Sequence, residues 1–223
     1  MKKSVLILMS LFLVGMTFTL KSQNMTQEEK NSYALGANIG ESFKSSGIEV
    51  NFEIFKEGFL DALKEKNKFS PEEMQACFMD IQMKVQAKQN KEIGVEKEKG
   101  QQFLVENKKR AGVKETASGL QYEVIVLGTG PKPDATDQVT VHYTGKTIDG
   151  QIFDSSVQRG DPITFGLNQV IPGWTEGLQL MPVGSKYMLY IPSDLGYGDR
   201  GQGNLIKPGS VLIFEVELLD IPK

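Results

Sequence analysis

The sequence is poor in reactive side chains. Its 223 residues hold one cysteine, Cys77, one histidine, His142, and one tryptophan, Trp174. A single cysteine excludes an intramolecular disulfide framework, and one histidine with one cysteine cannot furnish a His/Cys zinc site. Cys-His and Ser-His-Asp catalysis are excluded as well, unless His142 carries the base function alone. No metal and no cofactor is expected. An excess of basic charge is also lacking: 25 Lys+Arg against 28 Asp+Glu give a formal net charge of -3. A nucleic-acid partner needs a basic face to displace counterions, so none is expected. Proline is scarce in one half only, and glycine is unevenly spread. Residues 24–110 contain 6 glycines and a single proline, Pro71, whereas residues 111–223 contain 16 glycines and 8 prolines, so the two halves follow different structural rules.

What is present begins with an export signal. Lys2 and Lys3 precede an apolar run from Val5 to Val14, continued loosely through Met16, Phe18 and Leu20 before Lys21-Ser22-Gln23-Asn24 turns polar. This is the layout of a secretory signal peptide over residues 1–22, and the run is shorter than a comfortable membrane span. An exported protein is expected, in a periplasm first, with outer-membrane association or secretion as the alternatives.

Residues 23–110 read as helical. Thr26-Gln27-Glu28-Glu29 has capping-box spacing and opens a helix through Tyr33, Leu35, Ile39 and Phe43. Ser32, Gly36 and Gly40 recur every four residues, which lines small side chains along one face. Glycine inside a helix costs about 1 kcal/mol relative to alanine, so two of them predict a close packing partner. Gly47 stops this helix, and Asn51 caps a second with Phe52, Phe55, Phe59 and Leu63 on one stripe. Ser70, Pro71 and Glu73 start a third, whose Met74, Cys77, Phe78, Ile81 and Val85 mark a buried face, with Cys77 as a small core residue. Beyond Val85 the stripe fades into charged and amide residues interrupted by Gly94 and Gly100. Either the helix continues to about Lys109 as a solvated stalk roughly 60 Å long, or a shorter helix gives way to a frayed linker. Three such helices make a poor core alone. A second copy would cover the phenylalanine stripe and the small-residue face, which predicts a homodimer through residues 25–85.

Residues 111–223 alternate short strands with turns. Leu120, Tyr122, Val124 and Val126 alternate with Gln121, Glu123 and Ile125, and Val139, Val141 and Tyr143 share the strand face opposite His142. Asp149-Gly150 marks a hairpin turn, Pro172 to Leu178 begins a short helix, and Tyr187–Ile191 and Val211–Leu219 supply further strands. The chain is therefore expected to be α+β, with an antiparallel sheet and one helix packed against it in the second half.

Separated blocks of this half, in order, carry a resemblance. They are Gly119-Leu120-Gln121-Tyr122, Val141-His142-Tyr143-Thr144-Gly145, Gly150-Gln151-Ile152-Phe153-Asp154-Ser155-Ser156, Val170-Ile171-Pro172-Gly173-Trp174-Thr175-Glu176-Gly177-Leu178, Leu195-Gly196-Tyr197-Gly198 and Leu212-Ile213-Phe214-Glu215-Val216-Glu217-Leu218-Leu219. Together they resemble the FK506-binding-protein (FKBP) type peptidyl-prolyl cis-trans isomerases. Tyr33-Ala34-Leu35-Gly36 and Phe59-Leu60-Asp61-Ala62-Leu63 are similar to the dimerisation domain of the bacterial macrophage-infectivity-potentiator-like branch. The resemblance implies a helical dimerisation domain and linker helix over 23–110, and over 111–223 a half-open antiparallel sheet wrapped around a short helix. It implies a pocket walled by Tyr143, Phe153, Phe165, Val170, Ile171, Trp174, Ile206 and Phe214, with Trp174 as floor. Tyr197 through its hydroxyl and Ile171 through its N–H would donate to substrate carbonyls, and Asp154, held by Arg159, would face the reacting amide. Ile163 stands where many members have an aromatic and Gln202 where some have histidine, two rim departures that bear on substrate preference and drug affinity. The implied activity is rotation of X-Pro bonds in folding, proline-containing polypeptides, with FK506-type macrolides as a further ligand class. The alternative is a dimeric holdase chaperone whose isomerase activity is incidental.

Overall fold

In a computed structural model, residues 25–222 are described, so the signal peptide expected over residues 1–22 lies outside the described residues. The helical start signals act as read. Thr26 accepts the Glu29 N–H while Glu29 reaches back to the Thr26 N–H at 2.7 Å, opening α1 (Gln27–Ser46). Gly47 ends it in the left-handed region at φ 67°, and the Asn51 carboxamide caps α2 (Phe52–Leu63) by accepting from the Glu53 and Ile54 N–H groups. Ser70 and Glu73 exchange the same reciprocal bonds ahead of α3 (Pro71–Asn107). This last helix passes unbroken through Gly94 and Gly100, which decides between the stalk-length helix and the frayed linker.

Two compact units divide within α3, between Lys88 and Gln89. In the first, Phe43 meets Phe55 edge-on at 5.4 Å and Phe52 stacks on Phe55 at 6.5 Å, yet no residue of α1 or α2 is buried. A Cβ added at Gly36 or Gly40 would meet nothing within 4 Å, so the close neighbour that the small-residue face predicts is not found among the described residues. Cys77, expected among core side chains, is exposed, as are Phe78 and Ile81. Three helices enclose too little volume to cover this face from within one chain.

The second unit, from Gln89, holds the sheet. Its strands are β1 (Val113–Glu115), β2 (Gln121–Val126), β3 (Gln138–Thr147), β4 (Ile152–Ser155), β5 (Ile163–Gly166), β6 (Lys186–Ile191) and β7 (Leu212–Asp220). All pairs are antiparallel in the order β1-β2-β6-β7-β3-β4, with β5 also on β3. The long β3 pairs β7 over Thr140–Thr147, and its other edge takes β5 at Gln138–Val141 and then β4 at Thr144–Lys146. Gly150, at φ 83°, makes the expected hairpin turn between β3 and β4. A single turn, α4 (Ser156–Arg159), follows β4, and α5 (Pro172–Gln179) crosses one face of the sheet. Pro172 sits in its first turn, where a missing N–H costs nothing. Gly173 and Gly177 let α5 lie close: a Cβ there would stand 2.5 Å from Ile191 Cγ2 and 2.8 Å from Leu189 Cδ1. Leu120, Val139, Val141, Leu178, Leu189, Ile191, Val216 and Leu218 fill the space between, the face that the period of two selects.

The later turns of α3 are not the solvated stalk that their polarity implies. Gly100 and Asn107 are buried, and a Cβ at Gly100 would stand 2.7 Å from Val211 Cγ2. Asn107 Nδ2 donates to Gln121 Oε1 at 2.9 Å, and Gln121 Nε2 donates to the Leu104 carbonyl at 3.0 Å. Arg110 binds Asn107 Oδ1 and the Tyr190 hydroxyl, both at 2.8 Å, and Glu123 Oε2 at 2.9 Å. Gln121, on the polar side of the β2 alternation, is therefore 1% exposed. Polar residues that satisfy one another leave no trace in hydrophobic periodicity, which is why this seat reads as solvated.

Candidate active site

Between α5, β3, β4, β5, β7 and the segment from Tyr197 to Ile206 lies a cavity of about 730 Å³. Trp174, on the first turn of α5 and 5% exposed, forms part of its wall. Three rings surround the indole: Tyr143 edge-on at 5.1 Å, Phe214 edge-on at 5.1 Å and Phe165 tilted at 5.4 Å. Phe153 meets Phe214 edge-on at 5.4 Å. Such arrangements place positive ring edges on negative faces and lock the cluster. Gly145 makes room for it, since a Cβ there would stand 2.5 Å from Phe153 Cε2 and 2.6 Å from Phe214 Cε1. The indole N–H of Trp174 has no hydrogen-bond partner among the described residues.

One polar corner interrupts the apolar lining. The Tyr143 hydroxyl donates to Asp154 Oδ2, Arg159 Nη1 donates to Asp154 Oδ1, and Arg159 Nη2 reaches the Tyr143 oxygen at 3.1 Å. Burial alone would raise the Asp154 carboxyl pKa, but the bonds from Tyr143 and Arg159 outweigh it and hold it below its ordinary value. Burial, with the Asp154 charge adding to it, pushes the Tyr143 and Tyr197 phenols up, so both remain protonated at neutral pH. Tyr197 is set by glycine: Gly198 follows at φ 56°, and Gly201 at φ 64° passes so near the Ile206 carbonyl that a Cβ would stand 2.3 Å from it. Ile171 leads into α5 in an extended conformation, with ψ 146°.

Every residue expected in the site lines this cavity except Arg159, which stands behind Asp154, and Ile163 and Gln202 are on the lining too. Gln169, Gly203, Asn204 and Leu205 join them without having been anticipated. Gln169 ends a single 3-10 turn and the other three sit in a turn, segments too short for periodicity to mark a face. His142 does not reach the cavity; its Nδ1 lies 3.1 Å from Ser156 Oγ. An apolar, ring-rich lining interrupted by one hydrogen-bonded carboxylate suits binding and reshaping of an apolar group beside an amide.

A half-open antiparallel sheet closed by one short helix over an aromatic pocket defines the class of fold. The profile described as "FKBP-type peptidyl-prolyl cis-trans isomerase" matches residues 130–219, and "Domain amino terminal to FKBP-type peptidyl-prolyl isomerase" matches residues 28–124. An FKBP-type peptidyl-prolyl cis-trans isomerase, FkpA, of Aeromonas hydrophila is 46% identical over 91% of this chain and 80% of its own. The "Outer membrane protein MIP" of Legionella longbeachae is 42% identical over 89% of this chain and 87% of its own. Among solved structures, that of FkpA from Escherichia coli matches with a TM-score of 0.69 at 38% identity, covering 88% of this chain and 97% of that one. The chain belongs to the FKBP-type peptidyl-prolyl cis-trans isomerases, and its activity is rotation about X-Pro bonds.

Proposed function

We propose that this isomerase acts on X-Pro bonds of exported polypeptides while they fold, with residues 1–22 directing export, residues 23–110 dimerising and linking, and residues 111–223 carrying catalysis. An X-Pro bond must break amide resonance across a barrier of about 18–20 kcal/mol, which leaves the uncatalysed change to take tens to hundreds of seconds. No proton or covalent transfer is needed. A twisted amide loses charge separation between oxygen and nitrogen, so an apolar enclosure favours it over the planar ground state. The proline ring rests on Trp174, between Tyr143, Phe165 and Phe214, with Phe153, Val170 and Ile206 beside it. The Tyr197 hydroxyl and the Ile171 N–H donate to substrate carbonyls, and the Asp154 carboxylate, fixed by Arg159, faces the reacting amide. The arrangement that carries these roles is the ring cluster around Trp174 with Asp154 at its edge. FK506-type macrolides are proposed to occupy the same cavity, with Ile163 and Gln202 tuning their affinity from the rim.

A protease-free assay on a Leu-Pro peptide tests the assignment. Tyr197→Phe removes one neutral hydrogen bond, worth about 1 kcal/mol, and is expected to lower kcat/KM roughly five-fold. Asp154→Leu should lower it further while the protein stays folded. Wild-type rates in both variants would overturn the assigned roles.

A homodimer through residues 25–85 is supported by the uncovered apolar side chains of α1, α2 and the start of α3, and by the empty space over Gly36 and Gly40. The holdase alternative draws on the same uncovered face and on nothing further. Export to a periplasm, free or at the outer membrane, is supported by the signal-like start and by the relative named as an outer membrane protein. Among the described residues no helix is long and apolar enough to cross a membrane.

A further inference from the structure

The segment between β6 and β7, Pro192–Val211, has no regular partner in the sheet, yet it carries Tyr197 and the rim residues Gln202 to Ile206. It turns on three positive-φ glycines, Gly198, Gly201 and Gly203, before Gly209, and it closes on itself through the Gln202–Ile206 bridge and the Gly209 N–H to Gly198 carbonyl bond at 2.9 Å. One helical face runs along it. A Cβ at Gly209 would stand 3.0 Å from both the Ile93 carbonyl oxygen and Lys97 Cγ of α3. Lys97 Nζ lies 2.6 Å from Asp199 and 3.8 Å from Asp194. These two carboxylates bracket Tyr197, so one ammonium spans the turn that presents the phenol. The hydrogen bond to Asp199 outweighs the desolvation of the ammonium and raises the Lys97 pKa.

We propose that Lys97 is a positioning residue of the isomerase: from α3, outside the catalytic domain as its sequence blocks delimit it, it holds the Tyr197 turn and the adjoining rim in the shape that receives substrate. The inference rests on the assignment of Tyr197 to the substrate. An exposed ion pair contributes little to global stability. Its effect falls instead on a segment whose local opening is far easier than global unfolding, as irregular binding loops are. Because the turn presents a binding group, loosening it weakens the encounter with substrate before it slows rotation of a bound peptide.

Full-length protein and its Lys97→Ala, Lys97→Arg, Lys99→Ala and Tyr197→Phe variants are compared on a Leu-Pro peptide, with thermal melts alongside. Lys99 is the control because it lies two residues away on the same helix and pairs at 2.9 Å with Asp149, at the β3–β4 turn. Lys97→Ala is expected to raise KM roughly two- to five-fold, the range an exposed pair can supply, with kcat and the melting midpoint little changed. Lys97→Arg should restore most of the loss, and Lys99→Ala should match the wild type. In 1 M NaCl the gap between wild type and Lys97→Ala should narrow. Equal KM in wild type and Lys97→Ala, or equal losses in Lys97→Ala and Lys99→Ala, would overturn the role. Tyr197→Phe reads the pocket assignment separately, so a loss there with none in Lys97→Ala rejects the brace and keeps the site.

Discussion

Among the described residues Asp154 is the one carboxylate on the cavity lining, and its pKa is depressed because Tyr143 and Arg159 together outweigh its burial. With the folded pKa below the unfolded one, the favourable interaction is fully present above the ordinary carboxylate range and is lost as pH falls through the folded value. The two pocket phenols are shifted upward, beyond neutral pH. Isomerase kcat/KM should therefore stay flat from about pH 5 to pH 9. A stopped-flow profile with an inflection inside that window would defeat this view of the corner. Gly145 makes a second claim at this scale. Adding one methyl between Phe153 and Phe214 forces overpacking that typically costs about 1–3 kcal/mol. Gly145→Ala should thus lower the melting midpoint and kcat/KM together, whereas Tyr197→Phe should lower the second alone.

The two glycines of α3 look alike in the sequence and differ in the fold. Nothing lies within 4 Å of a Cβ at Gly94, whereas a Cβ at Gly100 would meet Val211 at 2.7 Å. Gly94→Ala should stabilise the helix by up to about 1 kcal/mol, since only helix propensity changes. Gly100→Ala gains the same propensity but pushes the helix off the sheet, and should destabilise. Thermal melts of the two variants side by side check this; matching upward shifts would mean that the helix does not sit tightly at Val211. The pairing also shows what periodicity can and cannot report. Alternation in β3 located Val139, Val141 and Tyr143 on the buried face because that face is apolar. The seat of α3 joins Asn107 to Arg110, Gln121, Glu123 and Tyr190 by hydrogen bonds, and periodicity reads the polar helix turns that supply Asn107 as solvated.

For the whole molecule, the question is what covers the first unit. Phe52, Phe59, Leu63, Phe78 and Met83 are each more than half exposed, a larger apolar surface than one soluble chain ordinarily leaves open. Light scattering of the mature protein should give twice the chain mass, and a charged residue placed in the small-residue face, as in Gly40→Glu, should halve it; a wild-type monomer at tens of micromolar would reject the dimer. The sequence by itself determined where the helices start, which strand faces are buried, the hairpin at Gly150 and the identity of the aromatic pocket, because capping, alternation and turn chemistry are local and the ordered blocks carry a family's pattern. Only the tertiary structure decided that α3 docks through a polar seat, that Gly145 and Gly100 mark close approaches, and that Lys97 reaches the Tyr197 turn. Those facts join residues far apart in the chain through contacts with no periodicity, so packing alone brings them together.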